Sequence, residues 1–190
     1  MKLVILDRDG VINRHVPGYV LKPEQWEPLP GALEAIARLH HAGFAVAVAT
    51  NQAALSRGLY DMAMVNSIHQ RMSRLVEAAG GRIDAIAICP HNPEHDCGCR
   101  KPRPGMLLEL IDRFEAIPEE TTMIGDTLAD LQAGIAARCR TWLVRCGHGE
   151  DAIVQGPVPE AVTICADLAD ATERLLADAA RARPGAADHR

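Results

Sequence analysis

Leu3-Val4-Ile5-Leu6-Asp7-Arg8-Asp9-Gly10 is the stretch on which the reading of the fold turns. An apolar run with no polar alternation reads as a strand buried on both faces, the habit of a parallel sheet covered by helices. The run stops at two acids, so Asp7 and Asp9 stand at the carboxyl end of a strand, where open α/β sheets gather their ligands. Side chains two apart in extended chain point the same way, and both carboxylates can face one reacting centre. Gly10 lets the backbone turn away closely. Taken alone, the same residues also describe a strand end followed by a solvated Asp-x-Asp turn.

The chain has 190 residues, 48% hydrophobic and 3% aromatic. That is enough for a sizeable core, which has to be built from Leu, Ile, Val, Ala and Met. A single domain over residues 1–180 is expected, and residues 181–190, made of Pro, Gly, Ala and charge, are expected to fray. A net charge of −5 speaks against nucleic acid or membrane as partner, because such surfaces are usually met by a basic face. The apolar run after Lys2 is too short for a signal peptide, and no later stretch approaches the ~20 apolar residues of a spanning helix. A cytoplasmic monomer acting on a small molecule is the expectation.

The rest of the chain alternates strand and helix. Residues 11–29 hold Pro17, Gly18, Pro23 and Pro28 without helical period and read as a loop or hairpin flap over the strand end. A helix is expected from Ala32 to Ala42, with Leu33, Ile36, Ala37 and His40 inward, then a strand from Phe44 to Ala49 ending at Thr50-Asn51-Gln52. Asp61 reads as the N-cap of a long helix with Val65, Ile68, Met72, Leu75 and Val76 on one face. Strands are expected at 83–88, 121–124, 141–144 and 162–165, and helices at 106–114, 128–137 and 168–180. This alternation predicts an α/β fold, a Rossmann-like parallel sheet flanked by helices with right-handed crossovers.

In a parallel sheet, the loops at Asp7-x-Asp9, Thr50-Asn51, Arg100-Lys101-Pro102 and Gly125-Asp126 share one edge. Together they supply a nucleophilic carboxylate, a second carboxyl for proton transfer, a hydroxyl and an amide, an ammonium, and a further acid. Such a set fits phosphoryl transfer with a divalent metal. Asp7 and Asp126 would offer hard oxygen ligands to Mg²⁺, whose charge offsets repulsion between Asp7 and an incoming phosphate. Each residue also has a plain reading: turn residues at Thr50 and Asn51, a solvated charge at Lys101, a helix cap at Asp126. Asp130 reads as solvated helix surface or as support behind the site.

In this order, over about residues 1–144, the motifs resemble those of the haloacid dehalogenase-like phosphohydrolases. The resemblance implies Asp7 as nucleophile and Asp9 as general acid and base. It implies Thr50 and Lys101 on the transferring phosphoryl oxygens, and Mg²⁺ held by Asp7, the backbone carbonyl of Asp9, and Asp126.

Cys89, His91, Cys97 and Cys99 form C-x-H-x5-C-x-C, three thiolates and an imidazole on a Pro- and Gly-bent loop. That composition suits closed, structural Zn²⁺. His95 competes, but His91 pairs with Cys89 at the spacing by which Cys97 pairs with Cys99. Cys139, Cys146 and Cys165 lie apart and read as ordinary buried or half-buried thiols. Zinc followed directly by Arg100-Lys101-Pro102 resembles the zinc-loop branch of the family, which holds heptose-bisphosphate and histidinol-phosphate phosphatases. DRDGVIN, the Gly18-Tyr19-Val20 flap, TNQ with Arg57-Gly58, and CRKPRPGM favour the heptose side and its role in heptose and lipopolysaccharide biosynthesis. Departures are Ala53-Ala54 where Ser-Gly is frequent, and Arg14-His15-Val16-Pro17 where an acid is common.

Residues 10–49, between Asp9 and Thr50, are filled by flap, helix and strand, so no cap domain fits there. An open site is expected. Gly18, Tyr19, Asn51, Gln52, Arg57 and Arg100 are the candidate substrate contacts; Arg100, and Arg57 behind it, could meet a second phosphate, since Arg suits bidentate phosphate contact. The reading from a different class is a zinc-loop protein that binds nucleic acid, and the net charge and missing basic stripe weigh against it.

Overall fold

The computed structural model describes residues 2–156 and 158–181. The fraying expected of residues 182–190 lies outside the described residues, and Arg181 ends the last helix. The elements in chain order are β1 (Leu3–Leu6), α1 (Ala32–His41), β2 (Ala45–Asn51), α2 (Met62–Ala78), β3 (Ala85–Cys89), α3 (Gly105–Arg113), β4 (Thr122–Gly125), α4 (Leu128–Ala136), β5 (Arg140–Val144), α5 (Gly149–Gln155), β6 (Thr163–Cys165) and α6 (Leu168–Arg181).

The six strands are parallel and run in the order β3-β2-β1-β4-β5-β6. The winding reverses between β1 and β4, and the crevice of such a sheet opens outside the carboxyl ends at that point. Alternation along the strands divides the core. Val4, Leu6, Val46 and Val48 face Ile36 and Leu39 of α1, Ile68 and Met72 of α2, and Leu168 and Leu175 of α6. Leu3, Ile5 and the alanines of β2 face Met106, Leu107 and Leu110 of α3. Small residues on that second side fit the low aromatic content, since alanines let α3 approach the sheet without bulky rings.

The flap is a hairpin-like excursion pinned at its base. Asn13 and Pro28 form an antiparallel bridge, Arg14 N–H donates to Glu27, and Leu29 N–H donates to Ile12. Trp26, fully buried, fixes the returning limb in the core.

Boundaries depart from the sequence reading where side chains intervene. β3 starts at Ala85 instead of Ile83, because the Asp84 carboxylate takes the Val46 N–H at 2.9 Å. β2 runs on through Thr50 and Asn51, which pair with Ile88 and Cys89. The buried residues of α1 are Ala32, Ala35, Ile36, Ala37 and Leu39, so Ile36 and Ala37 stand as expected while Leu33 and His40 are only half-buried. Likewise Leu75 of α2 and Phe114 after α3 are half-buried, and α5 is a helix that the apolar pattern did not announce.

The rotated face of α1 has a measurable consequence. Leu39→Ala is expected to cost about 2–5 kcal/mol in urea unfolding, the range for emptying a buried leucine site. Leu33→Ala should cost clearly less, and equal losses would return the inward face to the sequence reading.

Candidate active site

The four strand-end loops meet over the β1/β4 crevice. Asp7, Asp9, Thr50, Asn51, Gln52, Arg100, Lys101 and Asp130 line one cavity of about 280 Å³. His15 and Gly18 to Val20 of the flap, with His148 after β5, complete its wall.

Lys101 reaches back from the loop after β3 and is buried. Its Nζ donates to Asp7 Oδ1 and to the Ala49 carbonyl, both at 2.7 Å, and lies 2.6 Å from Asp130 Oδ1. Burial opposes its charge, but Asp130 and Asp7 more than compensate and raise its pKa, so Lys101 is an ammonium. Asp7 is only 9% exposed. Burial pushes its carboxyl up to about 7, with Lys101 pulling down and Asp130 pushing up.

Asp126 lies fully buried beneath. Its Oδ2 accepts the His148 N–H at 2.8 Å, whereas Oδ1 has no partner among the described residues. Burial, then the charges of Asp7 and Asp130, raise it to about 8. The backbone crowds it from above. A Cβ on Gly10 (φ +89°) would lie 2.1 Å from Asp126 Oδ2, and one on Gly147 (φ +60°) 2.2 Å away. Side-chain oxygens of Asp7, Asp126 and Asp130 lie within 4.8 Å of one another. Three carboxylates answered by one ammonium, with a buried carboxylate oxygen left over, are a donor set that fits a hard divalent cation.

Asp130 is therefore no solvated helix surface: it is fully buried in the first turn of α4. Its Oδ2 accepts from Thr127 N–H at 3.0 Å and Thr127 Oγ1 at 2.6 Å, completing a capping box. The turn of the helix faces the strand edge, which leaves Oδ1 aimed at Lys101.

The Asp9 carboxylate does not join the acidic cluster. Arg8 Nη2 donates to both its oxygens, at 3.0 and 2.8 Å, Asn13 Nδ2 donates to Oδ1 at 2.9 Å and Gln52 Nε2 to Oδ2 at 3.0 Å. Burial alone would raise its pKa, but the Arg8 charge and these bonds hold it below the ordinary carboxyl value. Gln52 also donates to Thr50 Oγ1 at 2.8 Å and accepts from Tyr60 Oη at 2.5 Å. The Asn51 side chain donates to the Lys101 carbonyl at 3.0 Å and accepts the Lys101 N–H at 3.1 Å. Both amides are thus engaged within the protein, holding Asp9 and Lys101, although both residues border the cavity. Arg57 is exposed and outside the cavity wall: it donates to Asn92 at 3.1 Å and lies 5.8 Å above the Tyr19 ring.

Sequence reasoning missed Arg8, Asn13, Tyr60, His69 and His148. Two left a signal: a basic residue inside the Asp-x-Asp pair, and a histidine within the apolar stripe Val65, Ile68, Met72, Val76 of α2.

Next to the cavity, Cys89, His91, Cys97 and Cys99 converge as their spacing suggested. Their sulfurs lie 3.3–3.7 Å apart, and His91 Nδ1 is 3.7 Å from Cys89 and 3.4 Å from Cys99. Tetrahedral thiolates about 2.3 Å from zinc would stand roughly 3.8 Å apart, so the cluster is slightly tighter than, and close to, that cage. His95 is otherwise used: its Nδ1 accepts the Asn92 N–H at 3.2 Å. Arg100 leaves this loop, donating to the His91 carbonyl at 3.0 Å while bordering the cavity. Cys139, Cys146 and Cys165 are free thiols, buried or half-buried.

Residues 1–138 match the model of the haloacid dehalogenase-like hydrolases. A D-glycero-beta-D-manno-heptose-1,7-bisphosphate 7-phosphatase of Bordetella bronchiseptica is 47% identical over 179 residues, covering 94% of this chain and 100% of the relative. The crystal structure of the D,D-heptose 1,7-bisphosphate phosphatase from B. bronchiseptica, complexed with magnesium and phosphate, superposes with a TM-score of 0.91 over 94% of this chain and 99% of that one. An alpha-anomer 7-phosphatase of Mycobacterium tuberculosis is 40% identical over 131 residues, 68% of this chain and 69% of the relative.

The buried acids make stability depend on pH. With pKa values of about 7 and about 8, Asp7 and Asp126 keep protons in the folded, Mg²⁺-free protein that the unfolded chain, at the ordinary 3.8, has released. What those protonated groups contribute is lost as pH rises through the folded values. His69, lowered to about 4 by burial and then by the Arg8 charge, acts in the opposite sense only below its ordinary 6.5. Between pH 6.5 and 8 the Mg²⁺-free midpoint of thermal unfolding should therefore fall, and added Mg²⁺ should raise it more at pH 8. A flat or rising midpoint would contradict the burial of uncompensated acids.

Proposed function

The chain belongs to the haloacid dehalogenase-like hydrolases, and from that premise we propose that it is a Mg²⁺-dependent phosphatase releasing the C7 phosphate of D-glycero-β-D-manno-heptose 1,7-bisphosphate. The observation that carries this reading is the convergence of Asp7, Lys101 and the unpartnered oxygen of Asp126 beneath an open cavity with Arg100 on its wall. The β anomer is preferred because the β-specific relative aligns with 94% of the chain and the α-specific one with 68%. The relatives support heptose bisphosphate over histidinol phosphate and over nucleic acid.

Asp7 attacks the phosphoryl group and forms an aspartyl phosphate. The attack needs Asp7 ionised, and Asp7, the Asp9 carbonyl and Asp126 would hold Mg²⁺, which supplies the charge that lets two anions meet. Lys101, aimed by Asp130, and Thr50 hold the phosphoryl oxygens as charge shifts onto the bridging oxygen. Asp9 gives that oxygen a proton and later takes one from water. Its low pKa suits the second step. For the first, the approaching phosphoryl dianion opposes the Arg8 charge and favours proton uptake by Asp9. Arg100 takes the C1 phosphate, and Gly18, Tyr19 and His15 of the flap border the sugar. Cys89, His91, Cys97 and Cys99 hold a structural Zn²⁺, which would order the loop that delivers Lys101.

Comparison of kcat/KM for the β bisphosphate, the α bisphosphate and histidinol phosphate tests the assignment: the β anomer should lead, and a lead for histidinol phosphate would overturn it. Asp7→Asn should fold normally yet lose turnover, with no aspartyl phosphate or fluoroberyllate adduct trapped; trapping at another residue would refute the nucleophile. Metal analysis of protein purified without added zinc should find about one zinc per chain, as expected of a closed four-ligand site. Arg100→Ala should weaken transition-state binding of the bisphosphate by about 2–4 kcal/mol while leaving a small monophosphate nearly unaffected. Equal losses on both substrates would assign Arg100 to the loop.

A further inference from the structure

We propose that Arg8 and His69 form a fixed clamp that positions the Asp9 carboxylate for proton transfer to the leaving oxygen, a role that rests on the phosphatase reading above. In extended chain residue 8 points away from residues 7 and 9. Nevertheless the Arg8 guanidinium returns to its own neighbour, and its Nη2 bridges both oxygens of Asp9, at 3.0 and 2.8 Å. Both bonds come from one nitrogen, Nη2, which bridges the two oxygens and leaves Nη1 free for a second partner.

The guanidinium itself is held from behind. Arg8 is completely buried, and its Nη1 lies 3.1 Å from Nε2 of His69, itself 6% exposed on the inward face of α2. Burial, and then the Arg8 charge, keep the imidazole neutral, so Nε2 accepts. A long helix packed on the sheet is thereby tied to the orientation of one carboxylate. Asn13 and Gln52 complete the ring, and Tyr60 fixes which way the Gln52 amide points. Asp9 thus takes two donors on each oxygen; to carry a proton it gives up one of these bonds, and the remaining three keep the carboxyl in place.

Neither Arg8 nor His69 lines the cavity, and both act through the Asp9 side chain, which makes them positioning residues. A positioned general acid matters when the leaving group is a poor alkoxide and hardly at all when it is a stable phenolate. The test is single-turnover release of the leaving group, enzyme in excess, from the heptose bisphosphate and from p-nitrophenyl phosphate. His69→Leu should slow release from the sugar by about tenfold or more, within what loss of general acid catalysis can cost, and p-nitrophenolate release by less than about twofold. His69→Gln, whose amide oxygen can accept from Arg8, should recover most of the difference. Arg8→Lys, which keeps the charge but lacks a second nitrogen to reach His69 and Asp9 together, should repeat the selective loss and serves if His69→Leu does not fold. Asp9→Asn run alongside separates the failures: without leaving-group selectivity there, Asp9 is not the acid, and that part of the proposed mechanism falls together with the clamp that rests on it. Selectivity in Asp9→Asn with none in His69→Leu or Arg8→Lys, equal losses on both substrates, or no recovery in His69→Gln would overturn the clamp alone.

Discussion

A single buried ammonium, Lys101, stands among three buried carboxyl groups at the carboxyl edge of β1 and β4, and most of the molecule is arranged around that imbalance. Burial penalises every unpaired charge. Lys101 pairs with Asp7 and Asp130, Asp126 is left with one oxygen unpartnered, and the two raised carboxyls record the remaining cost. The cost is one that a divalent cation, bringing positive charge to the excess of carboxylates, would relieve. Glycine at 10 and 147 is the covalent condition for this, since only a chain without Cβ can press so closely on Asp126.

The same edge is assembled from two layers of support. Lys101 arrives at the end of the cysteine loop, and Asn51, at the end of β2, grips its backbone by both amide groups. Arg100, one residue earlier, is tied to the carbonyl of His91. A metal held by Cys89, His91, Cys97 and Cys99 would therefore act on the neighbouring Arg100 and Lys101 through these bonds, from outside the cavity. On the other side, Asp9 is held through Arg8, Asn13 and Gln52, so the two sides of the site have separate anchors.

How much of this could be read in the chain follows from what each pattern encodes. Strand ends were legible because an unbroken apolar run interrupted by Asp7, Thr50 or Asp126 fixes both the buried segment and the group that leaves it. The thiol cluster was legible because short-range spacing on one loop nearly determines convergence. Side chains that act across the fold were not: nothing local says that His69, sixty-one positions away, meets Arg8. Asp130 could be a surface acid or a buried partner until the direction of α4 against the sheet is known. The face of α1 was misjudged by a fraction of a turn, because alanines at 32 and 35 weigh little in an apolar pattern yet mark where the helix lies nearest the core. α5 is short, and its apolar contact is little more than Ala152.

The flap's pinned base and the short passage from β1 to α1 leave the cavity in direct contact with solvent. On the proposed reading, an acyl phosphate on Asp7 would form at the floor of a cavity whose mouth is open, with no cap among the described residues to hold back water or retain a second acceptor. Enzymes that pass a phosphoryl group between two organic molecules need the opposite, a chamber that shuts water out while the intermediate waits. On that reading the open mouth would favour hydrolysis over transfer to a second organic acceptor.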